Sequence, residues 1–125
     1  MYKKRIFIAC ADERLRIALL IFLEDEPRLK VVGFTDRLES LLPQIKASQA
    51  EVLLLEWPMT QEALTALVSN IHDLSCQYKV ISFARDQEES KEILAAGGDY
   101  VILKNAPPDE LLPILNKIDL QSTNV

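Results

Sequence analysis

Glu56 and Lys104 are the residues of this 125-residue chain best placed to do chemistry together. Each closes an apolar run: Val52-Leu53-Leu54-Leu55 ends in Glu56, and Tyr100-Val101-Ile102-Leu103 ends in Lys104. Such runs suit strands buried on both faces, as in a parallel sheet. Ligands of open parallel sheets bind beyond the carboxyl ends of the strands, so the two opposite charges are expected to face one crevice and to pair there. A third run, Ile6-Phe7-Ile8-Ala9-Cys10, ends in a thiol and is followed by Ala11 and Asp12. A cysteine beside a helix N-terminus and a lysine can have a lowered pKa and react; the plainer reading is a small buried hydrophobe. Trp57 follows Glu56 and either covers the crevice or anchors a partner. His72, the one histidine, has no neighbours in sequence that would make a triad or a metal site.

These charges need a frame, and the chain alternates strand and helix patterns from end to end. Ile6–Cys10, Leu29–Phe34, Glu51–Glu56, Lys79–Phe83 and Tyr100–Leu103 read as strands. Between them run helical stripes. Leu15, Ala18, Leu19, Phe22 and Leu23 form the first, with Asp12 as its cap. Leu38, Leu41, Leu42 and Ile45 form the second, with Pro43 near its first turn, and Leu64, Leu67, Val68 and Ile71 the third. Glu88–Ala96 is a short fourth helix stopped by Gly97-Gly98. Pro107-Pro108-Asp109-Glu110 opens the fifth, whose interior Pro113 requires a kink or a late start. Alternation of this kind predicts an α/β fold with one parallel sheet. One domain is expected over residues 1–118, with 119–125 as a polar tail or the start of a linker.

With 49% apolar and 26% charged residues, the composition is that of an ordinary globular domain. A net charge of −5 argues against direct contact with a nucleic acid backbone. No apolar stretch approaches the ~20 residues a membrane span needs. Two cysteines, Cys10 and Cys76, make neither a disulfide framework nor a zinc site, and a cytoplasmic setting is expected. No glycine-rich phosphate loop follows the first strand, since Cys10-Ala11-Asp12-Glu13 contains no glycine.

Several stretches resemble the receiver domains of bacterial response regulators, above all those of LuxR/NarL-type regulators. They are Glu26-Pro27 through Val31-Val32-Gly33, Val52 through Met59, Ala96-Gly97-Gly98-Asp99-Tyr100, and Leu103-Lys104-Asn105-Ala106-Pro107-Pro108-Asp109-Glu110-Leu111. The resemblance covers about residues 4–118. It implies a CheY-like, flavodoxin-like doubly wound sheet of five strands in the order 2-1-3-4-5 with five helices. It also implies what the site would hold. Receivers accept a phosphoryl group on an aspartate ending the third strand, bind Mg²⁺ through an acidic pair after the first, and carry a Ser or Thr ending the fourth. A lysine ends the fifth strand, and an aromatic on that strand often responds.

Here Glu56 stands at the acceptor position, Cys10-Ala11 at the acidic pair, Ala84 at the hydroxyl and Val101 at the aromatic; only Lys104 is retained. A site so depleted is expected to bind no metal or other cofactor and to catalyse no phosphotransfer. The expected role is a phosphorylation-independent pseudo-receiver, an interaction or dimerisation module in signal transduction or transcription regulation. Its partner is a protein or a second copy, met through the face formed by the fourth helix, fifth strand and fifth helix, with Trp57, Leu111, Leu112 and Leu115 as contact candidates. Two alternatives remain: a ligand or redox sensor using Cys10, Trp57 and Lys104 around a vacated crevice, and a phosphorelay receiver using unconventional acids.

Overall fold

A computed structural model of the chain describes residues 3–74 and 77–123, with backbone alone over 119–123; Cys76 lies outside the described residues. Five parallel strands form one sheet: β1 (Lys4–Cys10), β2 (Leu29–Thr35), β3 (Val52–Glu56), β4 (Lys79–Ala84) and β5 (Tyr100–Leu103). Their order is β2-β1-β3-β4-β5, the doubly wound order that the resemblance implies. The central strands read as unbroken apolar runs because helices cover both faces of the sheet. All five residues of β3 are buried.

Alternation along the strands divides the core into two layers. On one face Ile8, Leu54, Ile81 and Ile102 meet Leu19 and Leu23 of α1 (Glu13–Glu24) and Leu111, Leu115 and Ile118 of α5 (Leu111–Thr123). On the other, Phe7, Leu53, Leu55 and Val80 meet α2 (Leu41–Ser48), α3 (Gln61–Leu74) and α4 (Gln87–Ala95). Gly33 is required beside Phe7: a Cβ there would lie 2.7 Å from the ring.

Helix ends follow local chemistry. Asp12 caps α1 through the Arg14 and Leu15 amides. Pro43 and Pro113 each occupy the third position of their helix, and each helix is preceded by a 3₁₀ turn, Leu38–Ser40 and Pro108–Glu110. In the first turn the missing proline N–H costs no helical bond, so α5 takes the late start. It runs on to Thr123, into the polar stretch 119–125. α4 ends in a Schellman motif: Gly97, at φ +103°, donates to Leu94 O and Gly98 to Ile93 O, both at 3.1 Å. No described helix is long and apolar enough to cross a membrane.

The sheet therefore presents Cys10, Glu56, Ala84 and Leu103 at one end, with Cys10 directly opposite Glu56 in register.

Candidate functional site

Three strand ends converge there. Lys104 leaves β5 beside Ala84, whose carbonyl accepts the Lys104 amide at 2.7 Å. Its Nζ lies 3.1 Å from Asp12 Oδ2 and 3.4 Å from Glu56 Oε2. Glu56 Oε1 accepts the Asp12 amide at 2.9 Å and lies 3.5 Å from Cys10 Sγ. Asp12 Oδ1 accepts the amides of Arg14 and Leu15 at 3.0 and 3.3 Å. The Ala11 amide donates to Glu56 O, and Arg16 Nη1 to Cys10 O. The expected contact between one anion and one cation is thus a three-membered cluster. Asp12 caps its helix with one oxygen and holds Lys104 with the other.

Burial grades the members: the Glu56 side chain is 8% exposed, Lys104 29% and Asp12 38%. The shorter contact is therefore the wetter one, and Glu56 depends more on its protein partners. The Lys104 hydrogen bond holds the Asp12 carboxyl below its usual range, with help from the Leu15 amide. Burial works against the Lys104 charge, but the neighbouring carboxylates of Asp12 and Glu56 outweigh it and raise its pKa. Burial, then the Glu56 charge, push the Cys10 thiol up to about 12. Of the two readings of Cys10 this favours the plainer one, a small buried hydrophobe, over a thiol activated by its helix and lysine: desolvation and a facing carboxylate win.

Mg²⁺ takes an octahedron of oxygens, with one or two carboxylates turned toward it. Each of the four oxygens of Asp12 and Glu56 already meets a donor of the protein. Where an acidic pair would complete the shell stand a buried thiol and a methyl group, Cys10 and Ala11. Among the described residues no three His, Cys, Asp or Glu side chains group to hold a metal ion. This donor set does not fit the ion.

Other expected positions add no side-chain contact to the cluster. Ala84 is fully buried, and Val101 is half-buried on the α4 face. Ser82, on the same pleat as Ala84, is buried and its Oγ has no hydrogen-bond partner. Trp57 is half-buried against the α3–α4 side, where with Met59, Leu64, Ser82 and Ile93 it lines a cleft of about 40 Å³. A second cavity, about 30 Å³, lies between Lys104, Leu15, Phe83 and Leu111. Trp57 lines the first of these cavities and Lys104 the second. Leu111 and Leu115 are 2% and 1% exposed: one turn apart, they face the sheet and are core rather than contact residues. Leu112 is half-buried against the same core. His72 Nε2 lies 3.1 Å from Asp99 Oδ2, which also accepts the Val80 amide at 2.9 Å. That pair joins α3 to the residue before β5, and the Val80 amide adds the start of β4, at the other end of the sheet.

No protein-family model matches the sequence, and no curated protein matches it. Solved structures do. The non-phosphorylated receiver domain of the stress response regulator RcsB from Escherichia coli is 17% identical, with a TM-score of 0.81 over 95% of both chains. The signal receiver domain of the putative response regulator NarL from Mycobacterium tuberculosis is 19% identical, with a TM-score of 0.77 over 95% of this chain and 98% of that one. A CheY-like response regulator receiver domain protein from Methanospirillum hungatei is 25% identical, with a TM-score of 0.76 over 98% and 99%. The structural neighbours are response regulator receiver domains, LuxR/NarL-type regulators among them, and this chain has their fold.

Proposed function

We propose that this chain is an atypical receiver domain that works without phosphorylation, as a protein interaction or dimerisation module in signal transduction or transcription regulation. One observation carries the reading: Lys104 bridges Asp12 and Glu56, and every oxygen of those carboxylates is occupied by a protein donor. Phosphoryl transfer needs a cation to neutralise developing charge and an in-line acceptor. Cys10 and Ala11 supply no ligands for the first. Glu56, a methylene longer than aspartate and held by the Asp12 amide, is displaced for the second.

The relay residues point the same way. Ala84 offers no hydroxyl and Val101 no aromatic ring, so a trigger at Glu56 has nothing to move. Glu56 then serves as a fixed strut that keeps one conformation. The high Cys10 pKa weighs against redox sensing. An open groove of about 480 Å³ between α4, β5 and α5 favours that face for a protein partner, with Pro113 and Ile114 on its α5 wall in place of Leu111 and Leu115. The role involves no catalysis, and a cytoplasmic setting suits it.

Intact-mass measurement after incubation with acetyl phosphate and Mg²⁺ tests the reading. The unmodified mass is expected; a phosphoryl adduct on Glu56 or Asp12 would overturn it.

A further inference from the structure

β5 is an edge strand, and among the described residues no strand pairs with its outer edge. In a parallel ladder a residue turns both its backbone groups to one neighbour, and the next residue turns both away. The Lys104 amide bonds Ala84 O on β4, and Ile102 stands opposite Phe83 in register, so Lys104 and Ile102 face β4. Val101 and Leu103 therefore face outward. The Leu103 carbonyl is taken by the Ala106 amide at 3.0 Å. Three groups remain in a row without partners among the described residues: Val101 N–H, Val101 C=O and Leu103 N–H. Buried or recessed backbone groups call for partners.

Those groups form the floor of the groove. Val101, Ile102 and Leu103, three successive residues, all line it. Successive side chains point to opposite faces, so a cavity touching all three borders the edge of the strand rather than one face. Gln87 and Ser90 of α4 form one wall, and Glu110, Pro113 and Ile114 the other.

β5 is short and recessed between α4 and α5, but the protections that block pairing itself, a bulge, a proline or a free lysine, are missing. The β4–β5 register is unbroken, and Val101-Ile102-Leu103 contains neither proline nor lysine. Lys104 follows, but its amine is held by Asp12 and Glu56. The opposite edge differs: β2 carries exposed Lys30 and a register shift against β1 between Ile6 and Phe7.

We infer that β5 receives an extended segment of a partner protein as a sixth strand, laid between α4 and α5 and held by main-chain hydrogen bonds to Val101 and Leu103. The inference rests on the reading of this domain as an interaction module and gives the mode of contact. A second copy of the chain does not fit this role, because its own β5 is recessed between the same two helices. The four residues of β5 span roughly 13 Å, enough to pair with a short extended segment. Glu110 on the wall favours a basic residue at one end of that segment.

The test starts from a display library of short extended peptides selected on the intact domain. Selected peptides should protect the Val101 and Leu103 amides from hydrogen exchange. N-methylation of one edge-facing peptide amide should weaken binding on the order of tenfold. Val101→Pro, which removes an outward N–H that β4 does not use, should abolish binding while the circular dichroism stays native. Val101→Thr should retain binding. Peptides that tolerate N-methylation yet are lost with Ser90→Arg would overturn strand addition and leave the interaction face standing. A library yielding no peptide sensitive to Val101→Pro would also overturn it. A phosphoryl adduct in the mass experiment would instead strike the underlying reading.

Discussion

Glu56 Oε1 accepts the backbone N–H of Asp12 at 2.9 Å, which ties the end of β3 to the loop that enters α1. Lys104 closes the same cluster from β5. Three strand ends are thus held by one buried carboxylate and its partners. The consequences are measurable.

Removing Glu56 leaves the Asp12 amide without its acceptor and takes one of two partners from the Lys104 amine and from the Cys10 thiol, each of which keeps Asp12. Breaking a fully buried pair costs about 3–5 kcal/mol. Because Lys104 keeps some water, Glu56→Ala is expected near the lower end, about 3 kcal/mol, in urea denaturation. Lys104→Met should cost less, since Glu56 keeps the Asp12 amide and the Cys10 thiol. A double-variant cycle should show coupling between the two positions.

Stability should decline at both ends of the pH scale. The Asp12 carboxyl is lowered in the fold, so its contribution is present above the unfolded value of 3.8 and is lost as pH falls through the folded value. Lys104 is raised, so its contribution is present below 10.5 and is lost as pH rises through the folded value. Cys10 adds to the alkaline loss: the unfolded thiol ionises near 9.0, the folded one near 12, so the unfolded chain gains between them. Thermal melts across pH should show a plateau bounded by these limits, and Cys10→Ala should flatten the alkaline side above pH 9.0.

The same thiol should be slow to react. In a Cys76→Ser background, alkylation of Cys10 at neutral pH is expected to proceed far more slowly than that of a free thiol, and to accelerate only on denaturation. Rapid labelling of the native protein would restore the redox reading.

Ser82 Oγ is buried without a partner. Unsatisfied polar groups of this kind cost about 1–3 kcal/mol. Ser82→Ala should therefore stabilise the fold by about 1 kcal/mol, seen as a raised Tm. A loss of stability would mean that the hydroxyl is satisfied in solution.

Much of this architecture is legible in the residues. The apolar runs ending at Cys10, Glu56 and Leu103 mark buried strands because they are short and continuously apolar, as strands covered on both faces are. The pairing of Glu56 with Lys104 follows from their shared place at strand ends. Asp12 is harder to read: cap and ion-pair roles look exclusive until its two oxygens are placed separately. The direction of the Cys10 shift depends on burial competing with a helix end and a lysine, and a sequence does not weigh those terms. Leu111 and Leu115 read as contact candidates, but the helix begins at Leu111, and from there Leu111, Leu115 and Ile118 all face the sheet. Trp57 turned toward α3 and α4 rather than over the carboxylates, a choice made by loop geometry that carries no periodic signal.

The central claim is that the carboxylates of Asp12 and Glu56 are already committed to protein donors. Titration of the labelled domain with Mg²⁺, followed through the amide resonances of Asp12, Glu56 and Lys104, tests it most directly. These resonances should stay in place through the millimolar range. Saturable shifts confined to them would show a bound cation and contradict the account.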